Sequence, residues 1–380
     1  METYPQPPLP PPARKLRRKH GGATLREVAE VAEVTAITVS RYLREPQRVA
    51  PLTAERIRLA LAETGYVPHK QAGMLASGQG TVVAVLLPNL ANSIFAETAQ
   101  GLAETLQPAG FELLMTSTSY SLEREEEQLR AVLGWRPAAV IVTGRRHSPG
   151  SLALLASARR SGTPVVEIWD CPGDTGNPAR KTTSTARFVQ VGLDHRAIGR
   201  AMAQHLLDSG HRHLAYVDSG VAEDYRAHER GQAFALAARQ AGAQVAPLTA
   251  RPGDPFDAGR LALATLLDTA GPHAVVTAAA FANDHLASGA LLEAVQRGVP
   301  VPQRMALLGF GDFAWSRQLR PTLSSVWLPR IDIGQIAAQA VLTMLQNPQA
   351  PVPRAAPLGF ALRIRESTQD DPDPAAPSLG

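Results

Sequence analysis

Short apolar runs alternate with amphipathic segments from residue 81 onward, and this alternation constrains the fold more than any other feature of the chain. The predicted strands are 82–87, 111–115, 139–143, 164–168, 188–191, 213–217, 273–277 and 305–308. The predicted helices lie near 94–107, 122–133, 149–161, 196–209, 229–241, 257–269, 284–297 and 332–346. Such alternation is typical of an α/β fold, in which helices cover parallel sheets. Residues 81–365 exceed one ordinary doubly wound domain, so we expect two lobes with a ligand cleft at the carboxyl ends of the strands.

Residues 22–78 have a different pattern, typical of short helices joined by tight turns. Thr24 and Glu27 form a capping-box pattern at the start of the first helix. The apolar face of that helix follows the helical spacing and consists of Leu25, Val28, Ala29 and Ala32. The sequence therefore predicts a separate helical domain before the α/β region.

Two further helices complete this N-terminal domain. Thr35 is predicted to cap the second helix, whose inward residues are Val39 and Leu43. Thr53 is predicted to cap the third, and Gly65 is placed to end it. The buried side of the third helix is predicted to consist of Ile57, Ala60 and Leu61. Together the three helices are predicted to form a three-helix helix-turn-helix domain.

The second helix carries side chains suited to reading a DNA major groove. Arg41 is predicted to pair with a guanine edge, and Ala36 or Ile37 to meet a thymine methyl group. Thr38 also faces outward, while phosphate contacts are predicted for Thr35, Ser40 and Arg44. The alternative is a plain three-helix bundle whose polar face is only solvated.

The charge distribution is consistent with a nucleic-acid partner at the N-terminal end. Residues 1–80 contain 12 Lys and Arg against 7 Asp and Glu, whereas residues 81–380 contain 26 against 27. This asymmetry indicates a DNA-contacting region followed by a nearly neutral domain. The alternative is a basic disordered tail, because 14–19 supply five of the positive charges.

Bulk properties exclude several other classes of protein. No apolar run is long enough to span a membrane, and the N-terminus lacks the pattern of a secretory signal, so we expect a cytoplasmic protein. Cys171 is the single cysteine and forms neither an internal disulfide nor a metal cluster. The ten histidines have no zinc-ligand spacing, and no nucleotide-binding or hydrolase motif is present. We therefore expect no cofactor, no metal and no enzymatic activity, and we interpret Glu125, Glu126 and Glu127 as a solvated helix face.

Composition and pattern divide the chain into five predicted segments. These are a Pro-rich basic disordered tail (1–21), a helix-turn-helix domain (22–68), a hinge helix and linker (69–80), a two-lobed effector-binding and dimerisation domain (81–365) and a disordered tail (366–380).

Residues 23–76 resemble the DNA-binding domain of the lactose-repressor (LacI) family. The resemblance rests on T-L-R-E-V-A-E-V-A-E-V-T-A-I-T-V-S-R (24–41), V-A-P-L-T-A-E-R-I (49–57) and G-Y-V-P-H (65–69). It implies a recognition helix from Thr35 to Arg44 and DNA contacts that include Thr24 and Tyr66. It also implies a hinge helix near 70–76 in which Leu75 wedges into the minor groove, although a linker residue packed on the core is the alternative for Leu75.

Two positions of this domain depart from the family pattern. Glu33 stands in the turn where the family usually has glycine, so we expect a turn of another type, because a left-handed backbone costs glutamate more than glycine. Gly73 replaces a usual hinge arginine, and it weakens the predicted hinge helix.

The resemblance extends to residue 365 and implies a two-lobed periplasmic-binding-protein-like module. It rests on V-L-L-P-N-L-A-N-S-I-F-A-E (85–97), D-S-G-H-R-H-L-A-Y-V (208–217), A-N-D-H-L-A-S-G-A (282–290), G-V-P-V-P (298–302), L-L-G-F-G-D (307–312) and R-P-T-L-S-S-V (320–326). The segments 125–143 and 328–330 look most like the gluconate-operon repressor branch of the family.

The resemblance also implies candidate effector contacts. Asn283 matches a ligand-contacting asparagine, while Asp284 is either a ligand contact or a helix cap. Phe95 matches an apolar wall position with core packing as its alternative, Glu167 matches a carboxylate that takes sugar hydroxyls, and Asn92 completes this group. Asp194, by contrast, is predicted to cap the helix near 196.

Basic residues distinguish this cleft from that of a neutral-sugar regulator. His228 stands where the family has a ligand-binding arginine, and Arg226 and Arg230 flank it. Gly311 replaces a usual aspartate, and Arg330 occupies a predicted cleft position. Loss of an acid and gain of a base favour an anionic ligand such as gluconate, whose carboxylate Arg330 is predicted to bind; a surface arginine is the alternative.

The resulting hypothesis is a transcriptional repressor, either homodimeric or tetrameric, that releases its DNA operator when a small effector binds. For three other functions, the sequence lacks a required feature or includes one that is not needed. A cytoplasmic sugar-binding protein needs no DNA-binding domain, an enzyme needs a catalytic motif, and an RNA-binding protein needs aromatic stacking surfaces. A regulator that responds to a neutral sugar or a purine-like ligand stays open as the alternative.

Overall fold

The computed structural model describes residues 23–67, 80–90, 93–171, 188–268, 275–348 and 355–369. Contacts divide the chain into two compact units, Met1–Gln79 and Gly80–Gly380. We call the described part of the first unit, residues 23–67, the headpiece, and the described part of the second the module. Within these residues, no helix is both long enough and apolar enough to cross a lipid bilayer.

The headpiece contains three α-helices around a small apolar core. They are α1 (Leu25–Val31), α2 (Ala36–Arg44) and α3 (Pro51–Thr64), with a short 3₁₀ turn at Pro46–Arg48 before the third. The fully buried core residues, supplied by all three helices and the turn after α1, are Val28, Ala29, Ala32, Val39, Ile57 and Ala60. Leu43, Leu61 and Tyr66 pack around them. The predicted helix-turn-helix arrangement is therefore present.

The ends of these helices confirm the predicted caps Thr24, Thr35 and Gly65 and correct the predicted cap Thr53. The capping box is complete, because Glu27 N donates to Thr24 Oγ1 at 3.3 Å and Thr24 N donates to Glu27 Oε2 at 2.7 Å. Gly65 ends α3 in the left-handed conformation, with φ of 62°. The prediction that Thr53 caps α3 is wrong, because Pro51 begins the helix and Ala50 is its cap residue. Proline is favoured at the first helical position, where its missing N–H costs no helical hydrogen bond.

The turn between α1 and α2 keeps the left-handed backbone that its glutamate was expected to avoid. Glu33 has φ of 52°, so the prediction of a different turn type is wrong. Arg56 Nη2 on α3 donates to the carbonyl oxygen of Glu33 at 2.9 Å. This hydrogen bond from outside the turn offsets part of the backbone strain of a non-glycine residue.

The module contains two lobes, each built on a six-stranded sheet. Lobe 1 has the strand order β11-β5-β4-β3-β1-β2, and lobe 2 has the order β12-β10-β9-β8-β6-β7. The strands are β1 (Val82–Leu87), β2 (Glu112–Ser117), β3 (Ala139–Thr143), β4 (Val165–Asp170), β5 (Val189–Leu193), β6 (His213–Asp218), β7 (Gln244–Thr249), β8 (Ala278–Phe281), β9 (Ala306–Gly311), β10 (Ser324–Trp327), β11 (Ala355–Pro357) and β12 (Ala361–Arg363). All described pairings are parallel except that of β10 with β12.

Helices cover both sheets, as the apolar strands require. They are α4 (Ser93–Leu106), α5 (Leu122–Gly134), α6 (Pro149–Arg160), α7 (His195–Asp208), α8 (Tyr225–Gln240), α9 (Pro255–Asp268), α10 (Asp284–Gln296) and α11 (Arg330–Gln346). Helices α4, α5, α6 and α11 pack in lobe 1, and α7 to α10 pack in lobe 2. Asp194 caps α7 by accepting from Arg196 N at 2.9 Å and Ala197 N at 3.0 Å, as predicted.

The chain crosses between the lobes three times in the described residues. It passes from β5 into α7, from β10 into α11, and from β11 into β12. Since lobes joined by short parallel crossings move mainly about those crossings, they form a natural hinge around a cleft.

The elements that sequence analysis missed or misplaced are short or polar. Strand β8 begins at Ala278 rather than at 273, and α8 begins at Tyr225 rather than at 229. Strands β7, β10, β11 and β12 were not predicted. β7 is an edge strand with mostly exposed side chains, and β11 and β12 have three residues each, so none of them shows a long apolar run.

Candidate DNA-contacting helix and interlobe cleft

Helix α2 presents its predicted reading residues to solvent. Ile37 is 71% exposed, which is unusual for an isoleucine on a helix with a buried face. Arg41 and Arg44 are also exposed, whereas Ala36, Thr38 and Ser40 are half-buried. Val39 faces the opposite way and is fully buried. The arrangement is that of an amphipathic helix whose outer face offers one apolar and two cationic side chains.

Three other predicted DNA contacts have structural roles in the headpiece. The hydroxyl groups of Thr24 and Thr35 cap α1 and α2, accepting from Glu27 N and Thr38 N respectively. Tyr66 packs on the headpiece core and is half-buried. Leu75 and the predicted hinge helix lie outside the described residues.

A cleft lies between the two lobes, at the carboxyl ends of their strands, and encloses about 620 Å³ of space that is partly open to solvent. Its wall from lobe 1 consists of Pro88, Thr118, Tyr120, Ser121, Leu122, Glu125, Thr143 and Arg146. Its wall from lobe 2 consists of Ala222, Glu223, Tyr225 and Arg226. Five hydroxyl groups and four charged side chains make it a polar cleft. It is a suitable size for a small polar metabolite.

Arg226 is the predicted effector residue that lines this cleft. Its side chain is only 6% exposed, and its guanidinium lies 5.3 Å from the centre of the Tyr225 ring. The carboxylates of Asp170 and Asp224 interact with the charge of this guanidinium, but none of the described residues accepts a hydrogen bond from it. Because a buried cation without hydrogen-bond acceptors is costly, an anion in the cleft is the expected partner.

The backbone next to Arg226 is shaped to admit it. Gly144 has φ of 92°, and a Cβ there would lie 2.8 Å from Arg226 Nη1 and 2.6 Å from Tyr225 Oη. Any other residue at 144 would therefore push these lobe 2 side chains away from lobe 1.

Ion pairs join the lobes beside the cleft. Arg145 Nη2 of lobe 1 donates to both carboxylate oxygens of Glu229 on α8, at 2.7 Å each, and Arg146 Nη2 donates to Glu229 Oε1 at 2.9 Å. Tyr225 Oη donates to the buried carboxylate of Asp170. Burial raises the pKa of Asp170, against the opposing effect of Arg226. Most of these contacts link side chains from different lobes and respond to any change in lobe spacing.

A second polar group surrounds His147, whose side chain is fully buried in lobe 1. Its Nδ1 lies 2.8 Å from Glu125 Oε1 and its Nε2 lies 3.4 Å from Glu167 Oε1. Gln190 Nε2 donates to Glu167 Oε2 at 2.6 Å. Burial alone lowers the pKa of His147, but the hydrogen bonds and charges of Glu125 and Glu167 raise it to about 9.

The contacts of His147 change the roles predicted for Glu125 and Glu167. The interpretation that Glu125 belongs to a solvated face is wrong, because Glu125 is 6% exposed and lines the cleft, whereas Glu127 is exposed. Glu167, the predicted hydroxyl acceptor, lies behind Glu125 and is occupied by Gln190 and His147.

Arg230 and His228 are both absent from the cleft wall as described. Arg230 is buried on the Phe310 ring at 3.7 Å, and its Nη2 donates to the carbonyl oxygen of Ala282 at 2.8 Å. Its Nη1 lies 3.1 Å from His195 Nδ1, and burial together with Arg230 lowers the pKa of His195. His228 is on the surface of lobe 2, with its Nε2 3.6 Å from Asp218 Oδ1.

Phe95 contacts a strained residue of lobe 1. It packs edge-on against Trp169 with ring centres 5.3 Å apart, and both side chains are buried. Trp169 has φ of 73° although it belongs to β4. Gly192 on β5 permits this, since a Cβ there would lie 2.4 Å from the carbonyl carbon of Trp169. Asn92, the neighbouring predicted contact, lies outside the described residues.

Asp284 was predicted to be either a ligand contact or a helix cap, and the structure gives the cap role to its neighbour Asn283. Asn283 is the cap of α10 and accepts from Leu286 N at 3.0 Å. Asp284 is fully buried, and its oxygens accept from Phe313 N at 3.0 Å, Ser316 Oγ at 2.7 Å and Ser325 Oγ at 2.6 Å. Asp284 is therefore neither the cap nor open to a ligand in this structure, and it fixes the loop after β9.

Arg330 is neither exposed nor on the wall of the described cleft, so both earlier readings of it need correction. It is 7% exposed, its Nη1 donates to the carbonyl oxygen of Gly311, and its Nη2 donates to Glu97 Oε1 at 2.8 Å. Protein acceptors thus already occupy the guanidinium that was predicted to bind a carboxylate. Both terminal nitrogens of Arg330 are thus occupied, and only its buried Nε lacks a partner among the described residues.

Sequence reasoning missed most of the cleft wall. Tyr120 follows β2, and Arg146 follows β3, in loops that carry no motif. The one available signal was position, because both loops follow apolar strands at their carboxyl ends. In the described part of the chain, no three His, Cys, Asp or Glu residues are grouped to hold a metal ion.

Two family patterns match the chain. Residues 24–69 match the pattern described as bacterial regulatory proteins, lacI family, and residues 203–368 match the periplasmic binding protein-like domain.

Full-length relatives include proteins of known role. The HTH-type transcriptional regulator GntR of Pseudomonas aeruginosa is 37% identical over 357 residues, which cover 93% of this chain and 98% of the relative. The regulator of the same name from Escherichia coli is 30% identical, with 89% and 96% covered. The crystal structure of a LacI-family transcriptional regulator from Silicibacter pomeroyi has a TM-score of 0.80 at 31% identity, covering 91% of this chain and 99% of the other. The matched relatives are regulators of transcription rather than enzymes.

Proposed function

We propose that this chain, which belongs to the LacI family of bacterial regulatory proteins and is a DNA-binding transcriptional regulator, binds operators as a dimer and takes a sugar acid such as gluconate as its effector. The effector binds in the interlobe cleft and releases the protein from its operator. Arg226 is the observation that carries this proposal.

Both the carboxylate and the hydroxyl chain of a sugar acid match groups on the wall of the cleft. Its carboxylate supplies the acceptors that the buried Arg226 guanidinium lacks among the described residues. Its hydroxyl groups suit a wall that carries the hydroxyls of Thr118, Tyr120, Ser121, Thr143 and Tyr225. A neutral sugar would offer Arg226 only hydroxyl acceptors, whose hydrogen bonds are weaker than those of a carboxylate, and this difference favours the sugar acid.

DNA recognition is assigned to the outer face of α2. The exposed Arg41 donates to a guanine edge, and the exposed Ile37 contacts a thymine methyl group. Arg44 and Ser40 contact phosphates, and they fix the helix in the groove without reading sequence. Arg44 Nε already donates to the carbonyl oxygen of Ser40 at 3.3 Å, which orients the guanidinium along the helix end.

Release follows from a change in lobe spacing. Arg145 and Arg146 of lobe 1 both donate to Glu229 of lobe 2. Arg146 also lines the cleft, so an anion bound beside Arg226 competes with Glu229 for the Arg146 guanidinium. The effector stabilises one arrangement of the lobes by its differential affinity, and a regulator needs several kcal/mol of such difference for strong induction. Repression relieved by the effector is the proposed mode.

The proposal is tested by calorimetric titration of the full-length protein with D-gluconate and with D-glucitol, its neutral polyol counterpart. We expect gluconate to bind and glucitol to bind much more weakly. Arg226→Gln should weaken gluconate binding about 10- to 100-fold, because a charge-assisted hydrogen bond is lost. Arg239→Gln, on the exposed face of the same helix, is the matched control and should bind as the wild type does. Equal binding of glucitol and gluconate would refute the sugar-acid assignment.

A further inference from the structure

We propose that Glu125 accepts a hydroxyl hydrogen of the effector and that His147 positions Glu125 for this contact, so that this pair selects polyhydroxy acids over simple carboxylates. The inference rests on the proposed sugar-acid effector and adds the determinant of its hydroxyl chain. Glu125 lies in the first turn of α5 and is the first of three consecutive glutamates. Of the other two, Glu126 is not on the cleft wall and Glu127 is exposed to solvent.

Glu125 has one occupied and one vacant carboxylate oxygen. Its Oε1 is 2.8 Å from His147 Nδ1, whereas its Oε2 accepts a hydrogen bond from none of the described residues. The residue is 6% exposed and lines the cleft. A carboxylate removed from water needs donors for its lone pairs, and the cleft is the side from which a donor can arrive.

His147 holds this carboxylate in place. The imidazole is enclosed between Glu125 of α5 and Glu167 of β4, and Gln190 of β5 fixes Glu167 from behind. With a pKa of about 9, His147 is an imidazolium at neutral pH, and its Nδ1–H donates to Glu125 while its Nε2–H lies in ion-pair range of Glu167. Two carboxylates around one imidazolium leave a net negative charge, so the vacant oxygen of Glu125 attracts a hydrogen-bond donor and repels an anion.

Arg226 on the lobe 2 wall and Glu125 on the lobe 1 wall carry opposite charges, and these give the effector a direction in the cleft. The carboxylate of a sugar acid is attracted to Arg226 and repelled by Glu125, so its hydroxyl-bearing carbons face Glu125. A simple carboxylate satisfies Arg226 but leaves Glu125 without a donor. A site built to hydrogen-bond a hydroxyl strongly disfavours an analogue that lacks it.

The test is a thermodynamic cycle with the full-length protein. Calorimetry measures binding of D-gluconate and of its five monodeoxy analogues to the wild type, Glu125→Gln and Glu127→Gln. Glu127 is exposed on the same helix, so its variant is the matched control. We expect Glu125→Gln to bind gluconate about 10-fold more weakly, since a hydrogen bond to a charged group is weakened. One deoxy analogue should lose a similar factor on the wild type and lose nothing further on Glu125→Gln.

His147 is tested by the dependence of gluconate affinity on pH. Affinity for the wild type should fall from pH 8 to pH 10 as His147 loses its proton, whereas His147→Gln should bind weakly and show a flat profile. A purely structural role would not produce this difference. Glu125→Asp, which keeps the charge but shortens the side chain, should give an intermediate loss. Operator affinity without effector, measured on the same samples, reports whether each variant is folded.

The outcomes separate the two proposals. If Glu125→Gln binds gluconate as tightly as Glu127→Gln, or if every deoxy analogue loses equal affinity on both proteins, the role of Glu125 is refuted while the sugar-acid proposal stands. If Glu125→Gln fails to bind the operator, the cycle with Glu125→Asp decides the question. If wild-type protein does not bind gluconate at all, both the proposed effector and this inference are overturned.

Discussion

The headpiece and the module bury polar groups in opposite ways. Every fully buried residue of the headpiece is apolar, and its charged side chains lie at the surface of the described residues. The module, by contrast, buries charged or ionisable side chains in or near the cleft and the lobe crossings, among them Glu125, His147, Glu167, Asp170, His195, Arg226, Glu229, Arg230, Asp284 and Arg330. The comparison indicates that the exposed residues of α2, Ile37 and Arg41, contribute little to the stability of the headpiece, whereas in the module recognition and stability share residues.

This difference has a physical cause. Double-helical DNA is read by side chains that reach out into a groove, so recognition residues on α2 must stay solvated until binding. A small ligand is read by enclosure, which requires desolvated charges whose partners are arranged in advance. We therefore expect that substituting an exposed reading residue of α2 changes the affinity for DNA without changing stability. Substituting a buried polar residue of the module should change its folding stability as well as its affinity for the effector.

Removal of the Asp284 carboxylate should have the largest effect on stability. Asp284→Ala leaves two buried hydroxyl groups and the Phe313 N–H without their acceptor. We expect the free energy of unfolding of the module to fall by roughly 3 to 5 kcal/mol, measured by urea denaturation. Asp257→Ala, at an exposed position of α9, is the control. Equal stability of the two variants would break the claim that the module depends on buried polar groups.

The stability of the module should depend on pH through His147. Its folded pKa of about 9 is above the ordinary value of 6.5, so the stabilisation is complete below about pH 6.5 and is lost as pH rises through 9. From pH 7 to pH 10 the wild type should lose on the order of 2 to 3 kcal/mol relative to His147→Gln. Denaturant unfolding across this range measures the difference. Parallel profiles for the two proteins would show that His147 is not a buried imidazolium.

Arg41→Ala should weaken operator binding without destabilising the protein. The side chain is exposed on α2, and a bidentate contact with guanine contributes about 1 to 3 kcal/mol of discrimination. We expect a loss of about 10- to 100-fold in affinity for the operator, measured by fluorescence anisotropy, with an unchanged unfolding midpoint. Arg58→Ala, which is exposed on α3, is the control. A lowered midpoint would contradict the separation of recognition from stability in the headpiece.

Glu33→Gly should produce the smallest effect and is expected to stabilise the headpiece. Its φ of 52° is strained for glutamate and costs glycine little, so a gain of about 0.5 to 1 kcal/mol is expected. Glu30→Gly, in the exposed part of α1, should lower stability by a similar amount. Hydrogen exchange of headpiece amides in the intact protein measures both changes. The Glu33 carboxylate also lies 3.9 Å from Arg56 Nη1, and a loss of protection in Glu33→Gly would indicate that this ion pair outweighs the backbone strain.

Long periodic elements could be predicted from the sequence, and short polar ones could not. The buried central strands β1 and β3 were predicted residue for residue because both of their faces are covered and their sequences are continuously apolar. Strand β7 was missed because it lies at a sheet edge, where one row of backbone groups and most side chains face solvent. Strand β8 was misplaced because the apolar stretch around it extends beyond the paired residues.

The cleft shows the limit of reasoning from local sequence. Arg226 was among the predicted contacts because it is close to a family position on one helix. Glu125 was not, because its meaning depends on His147, which is 22 residues away in sequence and 2.8 Å away in space. Arg330 was assigned to the ligand from its family position and from the gain of a base, and its actual partners, Glu97 and Gly311, come from distant elements that no local pattern connects.

The central claim is that an anionic effector at Arg226 releases the regulator from DNA. The most direct measurement is the affinity of the full-length protein for a pseudo-palindromic operator upstream of neighbouring sugar-acid genes, by fluorescence anisotropy with and without D-gluconate. Wild-type affinity should fall at least about 10-fold with gluconate, whereas Arg226→Gln should bind the operator equally in both conditions and as tightly as the unliganded wild type. An operator affinity of the wild type that gluconate does not change, or equal release of the variant, would contradict the account.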